Sequence, residues 1–253
     1  HVIICCYAQT IDEYLKAAVL KDRLHDFKAA IADYTKVIEI DSACAIAYIY
    51  RGTAKDSLYD FVGAIADYTK AIEIDSTSKA AFLKRGIAKD NTEDYAGAIA
   101  DYDKAIAIDS AYAAAYISRG ISKDNLYDFN GAIADYSQVI NMDQKNLVAY
   151  VCRAISKDSL HDFKGAIADY TKVLQLDNKY LLAYINRGLA KDSLHNFKEA
   201  IEDYNSAINL DAGNATVYLS RAIAKDSLQA YNGAIADYSK YINFIAEIGR
   251  AHV

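Results

Sequence analysis

The chain has 253 residues and a formal net charge of −6, with no basic run, which excludes a dedicated nucleic-acid binder. Hydrophobic residues make up 53% of it, enough to bury a sizeable core, so it is not a disordered chain. Proline and tryptophan are absent while tyrosine occurs 22 times, which predicts helices joined by short turns; no apolar run approaches the length needed to cross a membrane.

Residues 1–10 (HVIICCYAQT) stand outside the pattern that follows. Val2–Tyr7 reads as the end of a secretory h-region, with Cys6 and Ala8 at small-residue positions before cleavage, and the ending "YAQ" resembles bacterial export signals. On that reading the protein is exported or periplasmic; otherwise it is cytoplasmic. Cys5, Cys6, Cys44 and Cys152 form no CxxC pair, zinc ribbon or disulfide framework, and are expected to be free thiols.

From residue 11 the chain repeats. AIADY occurs at Ala30, Ala64, Ala98, Ala132, Ala166 and Ala234, with AIEDY at Ala200, always 34 residues apart and without insertion. Seven repeats follow: 11–44, 45–78, 79–112, 113–146, 147–180, 181–214 and 215–248. Each reads as two helices. In repeat 2, Tyr48, Gly52 and Lys55 follow helical spacing, as do Ala64, Tyr68 and Ala71. Asp60 and its counterparts Asp26, Asp94, Asp128, Asp162 and Asn196 are placed to cap the second helix. Gly52, Gly86, Gly120 and Gly188 share a column with Ala18, Ala154 and Ala222, and large rings (Tyr48, Phe82, Tyr116) alternate with them, a pattern that packs helix on helix. One hairpin cannot bury its own apolar face, so the repeats are expected to stack into an all-α solenoid.

Length, phase and the positions of Tyr48, Gly52, Ala64, Tyr68 and Ala71 resemble the tetratricopeptide-repeat (TPR) family, of bacterial type, over residues 11–246. The resemblance implies a right-handed superhelix of seven helix–turn–helix repeats whose first helices line a concave surface. The chain departs from the family pattern at Arg51 for leucine, Lys55 for tyrosine and Ser76 for the closing proline. A glycine common at the turn between the two helices is replaced by Tyr59, or by His25, Glu93, His161 and His195. The turns are therefore expected to differ slightly in geometry.

Two sets of charges recur. Arg51, Arg85, Arg119, Arg153, Arg187 and Arg221 form one column, with the lysines of the repeated Lys-Asp pair one turn later. They are expected to face Asp33, Asp67, Asp101, Asp135, Asp169, Asp203 and Asp237 as an Arg–Asp ladder, with lysine stems packing and amines reaching outward. Arg119 is expected to couple to Asp101 or Asp135. The aspartates of the Lys-Asp pair fall on a second stripe, Ile46–Ile49–Thr53–Asp56 in repeat 2. By the resemblance this stripe faces a ligand; the plainer alternative is packing between repeats. The candidate concave groove comprises Ile49, Tyr50, Thr53, Asp56, Leu83, Lys84, Asp90, Ile117, Ser118, Asp124, Val151, Asp158, Ile185, Asn186 and Asp192. An apolar groove edged by carboxylates should repel the peptide C-terminus that chaperone-binding family members clamp, and should suit a protein or peptide with apolar and basic residues.

No catalytic, cofactor or metal site is expected. Equal carboxylates in a translational repeat do not converge on one pocket. His161 and His195 occupy one column in adjacent repeats, too far apart to share a metal. The sequence thus points to a non-catalytic protein–protein interaction scaffold. The alternatives are a structural module that self-associates through uncapped ends, or the interaction domain of a larger, truncated protein. Residues 247–253 (EIGRAHV) leave the repeat, and can be encoded by a string that resembles a sequencing-library adapter, so this tail is expected to be translated adapter.

Overall fold

A computed structural model describes the backbone of residues 2–251 and the side chains of residues 10–247. The export-signal reading of residues 1–9 and the adapter-tail reading, save Glu247, therefore lie outside the residues whose side chains are described. The described residues form fourteen α-helices and no strand. They divide into two compact halves, His1–Asp128 and Phe129–Val253. In the first half, first helices α1 (Val2–Arg23), α3 (Ala45–Ser57), α5 (Lys79–Asp90) and α7 (Ala113–Asn125) alternate with second helices α2 (Phe27–Ile40), α4 (Phe61–Ile74) and α6 (Tyr95–Ile108). The second half begins with α8 (Phe129–Met142). It continues through first helices α9 (Leu147–Ser159), α11 (Leu181–Ser193) and α13 (Ala215–Ser227), and second helices α10 (Phe163–Leu176), α12 (Phe197–Leu210) and α14 (Tyr231–Ala251). Within each half the hairpins stack in chain order, so the fold is an all-α solenoid of helix–turn–helix repeats.

Local chemistry sets each boundary. The Asp26, Asp60, Asp94 and Asp162 side chains accept from the backbone N–H three residues on, at 2.9–3.2 Å, and so cap the second helices. Asn196 occupies the same position without making that bond, contrary to the sequence reading. The turn from first to second helix is a Schellman closure: Asp60 N–H donates to Lys55 O and Tyr59 N–H to Asp56 O. It requires a left-handed residue, and His25, Tyr59, Glu93, Tyr127, His161, His195 and Gln229 all adopt φ of 57–63°. Replacement of the expected glycine thus leaves the left-handed conformation in place, at a steric cost in every repeat. No proline is needed between repeats, because an aspartate makes the turn. Asp41, Asp75, Asp109, Asp143, Asp177 and Asp211 each accept from the N–H two residues on at 2.9–3.0 Å.

The core is a column of small residues facing large rings. Ala30, Ala64, Ala98, Ala132, Ala166 and Ala200 are fully buried, as are Tyr34, Tyr68, Tyr102 and Tyr204. A methyl added at Gly86 would lie 2.5 Å from the Tyr102 ring, so that first helix rests directly on the tyrosine. Between repeats, a small residue of the next first helix seats among aliphatics of the preceding second helix: Ala88 against Ile65 and Tyr68, Val217 and Ala224 against Ile201, Tyr204 and Ile208.

The predicted ladder exists, and it is denser than the sequence suggested. Arg51 Nε and Nη2 grip Asp67 at 3.0 and 2.6 Å, while Nη1 donates to Thr35 Oγ1 of the preceding repeat at 3.1 Å. Arg85, Arg153, Arg187 and Arg221 repeat this arrangement on Asp101, Asp169, Asp203 and Asp237. The lysines do not reach outward as expected. Lys55, Lys89, Lys157, Lys191 and Lys225 turn inward onto the same carboxylates at 2.7–2.8 Å. A buried carboxylate has lone pairs left over after one bidentate guanidinium, and the ammonium takes one. Arg119 Nη1 donates to Asp103, which stands where Thr35 and Thr69 accept from Arg51 and Arg85. In repeat 1 Ala17 replaces the arginine, and Lys21 holds Asp33.

Asp101→Leu strands two buried cations and should cost about 3–5 kcal/mol. Arg85→Leu, which leaves Asp101 to Lys89, should cost less, and the double variant should recover at least ~1 kcal/mol relative to the sum. Urea denaturation of the cycle decides this; additive losses would remove the ladder. Separately, Glu93→Gly relieves a left-handed residue with no ring contact to lose, and should stabilise by up to ~1 kcal/mol in the same assay, after the entropy that glycine adds to the unfolded chain.

Candidate binding surface

The second column of the Lys-Asp pair was expected to be a plain acidic margin. Instead Asp22, Asp90, Asp158 and Asp192 are half-buried and tied to the core tyrosine of their own repeat, while Asp226 in repeat 7 is exposed. Tyr34 OH donates to Asp22 at 2.8 Å, Tyr102 to Asp90 at 2.6 Å, Tyr170 to Asp158 at 2.8 Å and Tyr204 to Asp192 at 2.6 Å. Repeat 2 differs: Tyr68 OH donates to Thr53 Oγ1 at 3.3 Å, and Asp56 feels the Lys84 ammonium of the next repeat. Burial raises the carboxyls of Asp22, Asp56, Asp90, Asp158 and Asp192 above the usual range, opposed by the tyrosine hydroxyls or, at Asp56, by Lys84. Burial likewise pushes the tyrosine hydroxyls up and lowers Lys84.

The structure brings several predicted residues together around these pairs. The Tyr50 ring lies 5.8 Å from the Tyr34 ring. Ser118 lies near enough to Tyr102, and Asn186 to Tyr170, to favour the ionised hydroxyl. The variable column thus touches the Tyr–Asp pair of the repeat before it. Asp124 in α7 is half-buried too. Ile49, Leu83 and Ile185 take part in the hydrophobic clusters between helices, and Ile117 and Val151 are half-buried, so this column serves packing. The exposed aliphatics on the same helices lie one column to either side: Ile46, Ile87 and Ile121 in the first half, Val148, Ile155, Leu182 and Leu189 in the second. The stripe spacing contained these residues. Their exposure depends on helix rotation, which spacing does not fix.

An inner oxygen, Oδ1, of Asp22, Asp56, Asp158 and Asp192 is buried without a hydrogen-bond donor. Asp90 escapes this because Ser122 Oγ of the next repeat donates to its Oδ1 at 2.7 Å. Alanine stands in that column at Ala54, Ala88, Ala190 and Ala224.

This arrangement offers apolar contact and hydrogen-bond acceptors. Among the described residues, no group of three His, Cys, Asp or Glu is placed to hold a metal, and no helix is long and apolar enough to cross a membrane. The rings of His161 and His195 sit 5.6 Å from those of Phe163 and Phe197 at the turns.

Repeated hairpins with a buried glycine-or-alanine column define a helical-repeat protein. A tetratricopeptide-repeat family model matches residues 14–44, 80–112 and 181–214, in phase with repeats 1, 3 and 6, so these are tetratricopeptide repeats. Among solved structures it is similar to the C-terminal part of a TPR repeat-containing protein from Cytophaga hutchinsonii. The two share 18% identity at a TM-score of 0.76, over 91% of this chain and 95% of that one. A tetratricopeptide repeat protein from Parabacteroides merdae matches at 15% identity and a TM-score of 0.70, over 93% of each chain. YrrB, described as a TPR protein with an unusual peptide-binding site, matches at 21% identity and a TM-score of 0.65, over 74% of this chain and 97% of its own. At these identities the likeness is one of fold. No curated protein sequence matches.

Serine in the alanine column should supply the missing donor. Ala190→Ser is expected to donate to Asp158 Oδ1 and to stabilise by about 1 kcal/mol at neutral pH. The gain acts on the ionised carboxylate. It should be fully present above the folded pKa of Asp158 and fade as pH falls through it. Urea titration of the variant and parent at neutral and acidic pH measures both; a gain that grows in acid would contradict the assignment.

Proposed function

We propose that the chain is a non-catalytic scaffold that holds a peptide or protein segment along the face of its first helices. The observation that carries this is the pair of exposed aliphatic columns on that face, Ile46, Ile87 and Ile121 in the first half and Val148, Ile155, Leu182 and Leu189 in the second. Scattered apolar residues are normal on a protein surface, but exposed aliphatics that recur at two fixed phases within a half present an aligned set of contacts. The flanking carboxylates, half-buried where the dielectric is low, add a negative field that suits basic residues in the partner. The candidate residues Tyr50, Lys84, Ser118 and Asn186 vary the surface from repeat to repeat.

A second reading has its own observation. On α14, Ile235 and Ile242 are exposed, whereas Ile201 and Ile208 in the same columns of α12 pack against Val217 and Ala224. That uncovered face supports self-association. Under it, light scattering should show a mass that rises with concentration, and Ile235→Lys with Ile242→Glu should abolish the rise.

For the scaffold reading, a displayed random peptide library selected on the chain should enrich binders. The Ile87→Lys/Ile121→Lys variant, changed at exposed sites with little effect on stability, should no longer hold them. Binders retained by that variant would place the site elsewhere.

A further inference from the structure

Two stretches of the chain are identical over eight residues, NGAIADYS at Asn130–Ser137 and at Asn232–Ser239, and each opens with an Asn-Gly pair. Such a pair is prone to self-reaction, because glycine has no side chain to shield its amide nitrogen from the neighbouring carboxamide. Asn232 is exposed and lies in the first turn of α14. The two stretches differ at the residue two before the asparagine. Asp128 stands there in repeat 4, at the position of the capping aspartates, and Ala230 in repeat 7.

Elsewhere the glycine of this column is held by side chains at both of its polar groups. Gly63, Gly97 and Gly165 donate N–H to Asp60, Asp94 and Asp162 at 2.9–3.0 Å. Their carbonyls accept from Lys55, Lys89 and Lys157 at 3.3–3.5 Å. Glycine is required at those positions, since a Cβ would lie 2.1–2.2 Å from the capping carboxylate. In repeat 7 the carboxylate is gone and the glycine remains. Gly233 N–H donates to Ala230 O at 3.0 Å, and among the described residues no side chain bonds Gly233. A Cβ there would meet nothing nearer than the Lys225 stem, at 3.3 Å. A hollow of about 310 Å³, lined by Gln229, Ala230, Tyr231, Asn232 and Gly233, leaves this turn open to water. An uncapped first turn opens more often than a capped one.

We infer that Asn232-Gly233 is a site of spontaneous covalent modification, the deamidation of Asn232 with water as its co-reactant. In helical backbone the Gly233 nitrogen does not reach the Asn232 carboxamide carbon, so reaction begins when the first turn of α14 opens. The nitrogen then attacks Cγ. An N–Cγ bond forms, the Gly233 proton passes to the leaving amide nitrogen, and ammonia departs to leave a succinimide. Water opens the ring at Cγ to give aspartate, or at the backbone carbonyl to give isoaspartate. Nothing is oxidised or reduced, and either product adds one negative charge. Aspartate at the second helical position favours the helix N-terminus, whereas isoaspartate lengthens the backbone by one carbon and breaks the first turn. This modification is independent of the scaffold reading above.

The test follows deamidation by peptide mapping and mass spectrometry on the whole chain, incubated folded at mildly alkaline pH. Each site's rate is divided by the rate of the same site in urea, which removes the intrinsic chemistry of the pair. In the folded parent, Asn232 should convert roughly fivefold faster than Asn130 on this scale, the ratio expected of one missing cap. Ala230→Asp, which places at this turn the residue that caps α4, α6 and α10, should slow Asn232 by about the same factor and leave Asn130 unchanged. Three results would each overturn the assignment: conversion of Asn232 only in urea, a scaled rate at Asn232 no greater than at Asn130, or a rate at Asn232 that Ala230→Asp does not slow.

Discussion

The structure depends on one shared carboxylate per repeat. Asp67, Asp101, Asp169, Asp203 and Asp237 are almost completely buried, and each receives a bidentate guanidinium and an ammonium from the first helix of its own repeat. The same arginine sends its third nitrogen to the preceding repeat: to Thr35, Thr69, Ser137, Thr171 or Asn205. Its flat face lies over the ring three residues earlier, as Arg51 does over Tyr48 at 5.5 Å. One residue thus fixes helix on helix within a repeat and repeat on repeat along the stack. Such an ion cluster is weak evidence for net stability, since desolvation offsets the attraction. What it imposes is register: slipping one helix past another would leave several buried charges unpaired at once.

That constraint explains how the Lys-Asp pair divides. Adjacent residues on a helix point about 100° apart, so the lysine faces the ladder while the aspartate faces the core tyrosine and the first-helix surface. The lysine completes a satisfied cluster. In repeats 1, 5 and 6 the aspartate receives one tyrosine hydroxyl, and there and in repeat 2 it keeps a buried oxygen without a donor. A half-satisfied buried group is costly. The serine at Ser122 shows that the repeat can supply the donor. The bare oxygens and the left-handed turn residues are places where this sequence does not minimise its own folding energy.

Much of the architecture was legible in the sequence because the period is invariant. Helix count, hairpin boundaries, the small-residue column and the Arg–Asp pairing all follow from residues recurring at fixed phase. Three features did not follow. The inward turn of Lys55 and its equivalents depends on unused lone pairs at Asp67, which appear only once the guanidinium is placed. The turn between repeats lacks the family proline, and the aspartate just before that position closes the turn by accepting from the N–H two residues on. At the candidate surface, the stripe Ile46–Ile49–Thr53–Asp56 was read as a single face. Helix rotation in fact buries Ile49 against Tyr48 and Tyr68 and exposes Ile46.

The central claim is that two aspartate columns, each repeated every 34 residues, occupy opposite electrostatic environments. Burial raises Asp192 above the ordinary carboxylate range, only partly opposed by Tyr204. Burial also acts on Asp237, but the hydrogen bonds and charges of Arg221 and Lys225 outweigh it and hold that carboxyl below the ordinary range. Carboxyl titration of Asp192 and Asp237 by carbon-13 NMR tests this most directly. The account predicts that Asp192 protonates first as pH falls and Asp237 last, on either side of an unperturbed aspartate. Coincident titration of the two, or the reverse order, would contradict it.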